Sequence, residues 1–233
     1  MKTIGLIGGM SWESTVTYYQ VINQMVGQSL GGLHSAKTLL YSVDFQEIEH
    51  CQANGEWDKS ALILIDAAKR LALAGADFIV ICTNTMHKVA DKIQAAINIP
   101  ILHIADITAQ HLIKENIQTV ALLGTKYTME QDFYKSKLIN KGLKVLIPDE
   151  QDRMIINQII YDELCHGIIK PTSKQTYIDI IDKLVIKGAQ GVILGCTEIG
   201  LLISQADHKI PFFDTALLHA QEAALSAINK SCF

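Results

Sequence analysis

Three short stretches of the chain combine a nucleophile, hydroxyls or small residues in a way that could support acid–base chemistry. They are Gly8-Gly9-Met10-Ser11, Thr83-Asn84-Thr85 and Cys196-Thr197-Glu198. Each follows a short aliphatic run: Thr3 to Ile7, Phe78 to Ile81 and Gly191 to Leu194. Such near-continuous apolar runs read as parallel strands buried on both faces. Ligands of open parallel sheets gather beyond the carboxyl ends of the strands, where the next helix offers free N–H donors and a partial positive charge. A thiolate is the competent form of cysteine and a helix N-terminus lowers a thiol pKa, so Cys196 is expected to be activated. The competing reading makes Cys196 a small buried hydrophobe. Glu198 also opposes a thiolate, and Thr83 could equally be a helix cap.

The elements that must position these residues are set by an internal repeat. Gly75 to Asn84 aligns with Gly188 to Thr197 at a constant offset of 113, and each copy runs on through a helical stretch to Ile-Pro, at Ile99-Pro100 and Ile210-Pro211. Ile4 to Gly8 aligns with Val120 to Gly124 at an offset of 116. The remaining runs are Leu39 to Val43, Ile101 to Ile104, Thr119 to Leu123, Val145 to Ile147 and Pro211 to Phe213, and they alternate with helical patterns. The expected fold class is therefore α/β, with two pseudo-symmetric units, each a mostly parallel four-stranded sheet flanked by helices. The ungapped register makes Thr83, not Cys82, the mate of Cys196. Because side chains alternate along a strand, Cys82 should face the other way. If the units face each other across a cleft, Thr83 and Cys196 flank one small ligand, as removal and return of a proton at one carbon requires.

Composition removes several other classes. The 233 residues are 49% hydrophobic and carry a formal charge of −4, with no basic run, so nucleic acid is not an expected partner. Apolar stretches such as Ala61 to Ile65 are far shorter than the roughly 20 residues of a membrane span. Met1 to Met10 reads as a first strand and not as a signal segment. The five cysteines (51, 82, 165, 196 and 232) form no C-x-x-C pair, which fits reduced thiols in a cytoplasmic protein. Gly5-x-x-Gly8-Gly9 lacks dinucleotide spacing, and Asp44 is a poor substitute for the acidic residue that should end the second strand. The eight histidines show no metal-ligand spacing and most of them read as surface or capping residues, and no G-x-S-x-G elbow is present.

Taken together, Gly8-Gly9-Met10-Ser11-Trp12-Glu13-Ser14-Thr15, Thr83-Asn84-Thr85-Met86-His87 and Gly195-Cys196-Thr197-Glu198 resemble the aspartate/glutamate racemase superfamily along the whole chain. Its members invert amino acids without pyridoxal phosphate or metal. The resemblance implies two Rossmann-like domains with the active site in the interdomain cleft, residues 1–100 plus 209–233 forming the first and 101–208 the second. It also implies a homodimer and no cofactor. Members usually carry two catalytic cysteines; here Thr83 stands at the first position, which is similar to the bacterial subgroup that pairs a Thr with a Cys. The implied catalytic residues are Thr83 and Cys196. Asn84, Thr85, Thr197 and Glu198 would bind substrate, with Met10 and Gln52 lining the same site. A hydroxyl is a poorer base than a thiolate, so one enantiomer should be preferred.

Two departures bear on the substrate. Aspartate-specific relatives often place a Lys in the segment matching Tyr161 to Gly167, where Cys165 stands here, and an Arg after the second strand, whereas Asp44 to Gln52 contains none. Aspartate or glutamate is the first expectation. A broad-specificity racemase, a single-cysteine decarboxylase or racemase of another small acid, and a binding protein that has lost catalysis are the alternatives.

Overall fold

All eight apolar runs form strands in the computed structural model, which describes residues 1–228. The chain proceeds through β1 (Ile4–Gly8), α1 (Trp12–Leu30), β2 (Thr38–Ser42), α2 (Phe45–Ala53), α3 (Trp57–Leu73), β3 (Phe78–Ile81), a 3-10 turn at Thr85–Val89, α4 (Ala90–Gln94), β4 (Ile101–Leu102) and α5 (Ile104–Lys114). It continues with β5 (Thr119–Gly124), α6 (Lys126–Glu130), α7 (Asp132–Ile139), β6 (Lys144–Leu146), α8 (Glu150–Asp162), a 3-10 turn at Leu164–His166, α9 (Pro171–Ile186), β7 (Gly191–Gly195), α10 (Ile199–Leu202), a 3-10 turn at Gln205–Asp207, β8 (Phe212–Asp214) and α11 (Thr215–Ile228). Cys232 lies outside the described residues.

The strands form two four-stranded parallel sheets of the same order, β2-β1-β3-β4 and β6-β5-β7-β8. The inner strands β1, β3 and β7 are buried along their whole length, as helices on both faces require. In the first unit α3 turns Ala61, Leu64, Ala67, Ala68 and Leu71 toward the core at helical spacing. In the second, Ile156, Ile160, Tyr177, Ile181 and Leu184 from α8 and α9 cover Ala121, Leu123, Val192 and Leu194.

The repeat survives at the level of single hydrogen bonds. Ile4 pairs with Phe78 and Val120 with Gly191, so the two offsets read from the sequence are the offsets of the sheet registers. Asp77 N–H donates to the Thr3 carbonyl and Gln190 N–H to the Thr119 carbonyl, both at 2.8 Å. Their side-chain oxygens accept from Thr3 N–H and Thr119 N–H in return. Gln94 and Gln205 are a further pair, each bridging the ends of the loop before the last strand of its sheet. Gln94 donates to the Ile99 carbonyl and accepts from Ile101 N–H, while Gln205 donates to the Ile210 carbonyl and accepts from Phe212 N–H. Gly75 and Gly188 both have φ of 97°, the left-handed conformation that ends a helix at little cost only for glycine.

The chain divides into two compact units: Met1–Ile104 with the segment from His219 onward, and Ala105–Leu218. The first boundary falls after 104 and not after 100, because β4 is hydrogen-bonded to β3 and completes the first sheet. The return falls at 219 and not at 209, because β8 pairs with β7 in the second sheet. It therefore lies inside α11, whose first residues belong to one unit and whose remainder belongs to the other.

Candidate active site

In the first unit the turn after β1 is held by a closed set of hydrogen bonds. Ser11 caps α1 by accepting from Ser14 N–H, and the Thr15 hydroxyl donates to the Ser11 carbonyl at 2.8 Å while accepting from Gly9 N–H at 2.9 Å. Gly9 has φ of 89°, and a Cβ there would run into the Val43 carbonyl. Only glycine allows this close approach of the β1 exit to the chain leaving β2. Met10 is buried in the same apolar cluster as Met86. The Gln52 amide, from the end of α2, donates to Met86 Sδ at 3.2 Å. Met10 and Gln52 thus meet in the packing around the Thr83 to His87 segment.

Thr83 follows β3, and its N–H turns back to the Ile81 carbonyl at 2.8 Å. The segment continues as a 3-10 turn from Thr85, with no side-chain capping bond at Asn84. Asn84 and Thr85 are buried, and Thr83 keeps 9% of its surface. Cys82 is fully buried, and burial pushes its thiol pKa far up.

What fixes Thr83 is His87. Its Nδ1–H donates to the Thr83 carbonyl at 2.8 Å, and its Nε2 accepts from Ile104 N–H at 3.2 Å, which assigns the neutral tautomer. Burial, with His103 at a ring distance of 4.6 Å, holds His87 well below the usual histidine range. His219 lies 5.7 Å from His87 on its other side; it donates to the Leu102 carbonyl at 2.8 Å and accepts from the Tyr18 hydroxyl at 2.9 Å. Burial, with His87 beside it, lowers its pKa to about 3. The reading of the histidines as surface or capping groups is therefore corrected for His87 and His219. The available signal was the apolar stripe of α11, where His219 falls in line with the buried Ala216, Ala220, Ala223 and Ala227.

In the second unit the exit of β7 is equally tight. A Cβ on Gly195 would lie 2.7 Å from the Leu123 carbonyl oxygen. Cys196 follows, 7% exposed, and its Sγ donates to Glu198 Oε2 at 2.9 Å. The Thr197 hydroxyl donates to the same oxygen at 2.9 Å. Glu198 is itself only 3% exposed.

The expected activation of Cys196 is overturned here. Burial first, then the Glu198 carboxylate and the Cys165 thiol, push its pKa well up. The helix that follows, α10, is about one turn long and begins only at Ile199, so it brings little dipole to bear. Asp214, at the end of β8, accepts from Ala216 and Leu217 N–H, yet burial and Glu198 raise its carboxyl to about 6. Gly200 approaches so closely that a Cβ would strike the Asp214 carboxylate. The sequence does not single out Asp214, since β8 brings it to its place, and His87 stands there only as the last residue of the Thr83-Asn84-Thr85-Met86-His87 motif, without a role.

Among the described residues no three His, Cys, Asp or Glu side chains cluster to hold a metal ion, and no helix is long and apolar enough to cross a membrane. Met10, Gln52, Thr83, Asn84 and Thr85 gather beyond the strands of the first sheet. Cys196, Thr197 and Glu198 lie at the corresponding position of the second.

Two like parallel four-stranded α/β units are also the fold of solved structures described as Asp/Glu racemases and their homologues. Residues 7–223 match the Asp/Glu/Hydantoin racemase family, and the chain belongs to that family and is a racemase. It is 25% identical over 226 residues, 91% of its length and 92% of the relative's, to the broad-specificity amino-acid racemase RacX of Bacillus subtilis. Among solved structures, an Asp/Glu racemase candidate from Yersinia pestis is 56% identical with a TM-score of 0.91, covering 98% of this chain and all of that one. An aspartate racemase homologue from Pyrococcus horikoshii is 37% identical with a TM-score of 0.85 and the same coverage.

Proposed function

We propose that this protein inverts aspartate or glutamate at the α-carbon without a cofactor, with Cys196 and Thr83 as the two proton-transfer groups. The observation that carries this reading is their equivalence: the same strand exit, in the same register, in two units of the same topology. In the favoured direction the Cys196 thiolate takes the α-proton, and the Thr83 hydroxyl returns one to the opposite face, drawing its own replacement from solvent. N–H groups and hydroxyls of Asn84, Thr85 and Thr197, with the Glu198 N–H, take the α-carboxylate and the charge that develops as the carbanion forms. Met10 and Gln52 line the same site. A hydroxyl is a weak base, so the reverse direction is slow and one enantiomer dominates. The same reading makes the protein a cytoplasmic homodimer.

A broader substrate range is the second reading. It is favoured by the absence of Arg from Asp44 to Gln52, by Cys165 at the place of a potential cation, and by the broad-specificity relative. The deciding experiment is α-proton exchange in deuterated buffer, followed by NMR, for both enantiomers of aspartate and glutamate. Wild type is expected to exchange one enantiomer much faster than the other, and Cys196→Ala to abolish the exchange. Exchange of apolar amino acids at comparable rates decides for the broad enzyme. No exchange of any amino acid, acidic or apolar, overturns the racemase reading.

A further inference from the structure

On the racemase reading, the turn that follows β7 in the second unit is anionic where a substrate with a carboxylate binds. Glu198 is 3% exposed, and one of its oxygens accepts from both the Cys196 thiol and the Thr197 hydroxyl at 2.9 Å. A second carboxylate, Asp214, stands behind it where Gly200 leaves room. Glu198 and Cys165 both oppose loss of the Cys196 proton, only partly offset by a backbone hydrogen bond from Glu198, and the buried Tyr177 hydroxyl lies in the same electrostatic neighbourhood. Asp214 feels Glu198 in the same sense. Placing a substrate carboxylate beside such a group costs energy, whereas placing an ammonium there returns it, the more so at low exposure.

Resting on the racemase reading, we infer that the Glu198 carboxylate receives the substrate's α-ammonium group and thereby selects amino acids over the matching 2-hydroxy acids. The arrangement also ties recognition to chemistry. Once the ammonium counters Glu198, the Cys196 S–H bond breaks, its proton passes to solvent water, and the electron pair stays on sulfur as the thiolate that attacks the α-proton. A hydroxy acid brings no cation and leaves the thiol protonated. Glu198 is thus a specificity residue that also gates the state of Cys196.

The test compares amino acids with hydroxy acids of the same skeleton: aspartate with malate, glutamate with 2-hydroxyglutarate, and alanine with lactate. Titration calorimetry is run on wild type, Glu198→Gln and Glu198→Asp, each checked for native melting. Wild type is expected to bind its preferred amino acid at least 30-fold more tightly than the hydroxy partner. Glu198→Gln should shrink that ratio at least tenfold, chiefly by weaker amino-acid binding, and Glu198→Asp should restore part of it. An unchanged ratio in Glu198→Gln overturns the inference. So does a wild type that prefers no amino acid over its hydroxy partner, a result that stands even if Glu198→Gln fails to fold. Exchange of the α-proton is scored separately: preference for the amino acid without exchange fails the racemase reading and leaves the ammonium assignment standing.

Discussion

Cys196 Sγ and Glu198 Oε2 lie 2.9 Å apart, both nearly closed to solvent, with the thiol donating to a carboxylate that also takes the Thr197 hydroxyl. Such a contact stabilises the thiol over the thiolate, because deprotonation would leave two negative charges in contact. The unliganded protein is therefore expected to react sluggishly with iodoacetamide at Cys196 near neutral pH, with a rate that keeps rising well above pH 8. Glu198→Gln removes the charge and keeps an acceptor of the same shape, and should speed alkylation of Cys196 about tenfold at pH 7.5. Peptide mass spectrometry reads the site directly. Slower or unchanged alkylation in the variant would show that Glu198 does not set the state of the thiol.

Thr83 is held by its backbone, through the His87 ring at 2.8 Å, which leaves the position of its side chain fixed while its chemistry changes. Thr83→Cys is nearly isosteric and introduces a far better base. It should raise α-proton exchange of the slow enantiomer by about tenfold or more and leave that of the fast enantiomer within a few-fold. If both enantiomers respond equally, Thr83 does not serve one face alone.

The strands and their order of appearance were legible because each is a short apolar run, several of them stopped by Gly, Pro or Asp. The registers followed from Gly75 and Gly188, whose shared left-handed conformation no other residue adopts as cheaply. The equivalence of Thr83 and Cys196 came with those registers. The opposing charge of Glu198 was legible beside Cys196, but the pattern could not carry the depth of burial that dominates the thiol's state, nor Asp214, which arrives from β8. The second boundary was equally hidden, because α11 keeps one continuous helical stripe while passing from one unit to the other. Likewise the His87, His103 and His219 rings come from three separate segments and meet only in the folded unit.

Gln94 and Gln205 make the same pair of backbone hydrogen bonds in the two sheets, at distances between 2.8 and 3.0 Å. If this bridge is what sets the last strand against its neighbour, truncation should cost alike in both units. Gln94→Ala and Gln205→Ala should each lose about 1–2 kcal/mol, for two modest hydrogen bonds at exposed positions. Chemical denaturation of the two variants checks this. A loss confined to one of them would mean that the two units use the repeated contact differently.

The buried histidines make stability fall in acid, and the sign follows from the protons. His219 is neutral in the folded protein down to about pH 3, whereas its unfolded form takes a proton below about 6.5. His87 shifts in the same direction. Their contribution is complete above pH 6.5 and drains away as the pH drops toward the folded value. Asp214 acts oppositely: folded, it keeps its proton up to about pH 6, so its contribution is present below about pH 4 and is lost as the pH rises through 6. Between pH 4 and 6 the proton that His219 gains on unfolding is offset by the one that Asp214 loses, and His87 adds a gain of the same sign, so stability should climb with pH. His219→Gln can still donate to the Leu102 carbonyl and accept from Tyr18 but cannot titrate. Its slope in that interval should be smaller than wild type's, even if its stability at pH 7.5 is lower. Denaturant midpoints at pH 4.5, 5.5 and 7.5 measure both slopes, and equal slopes in wild type and variant would remove His219 from the acid response.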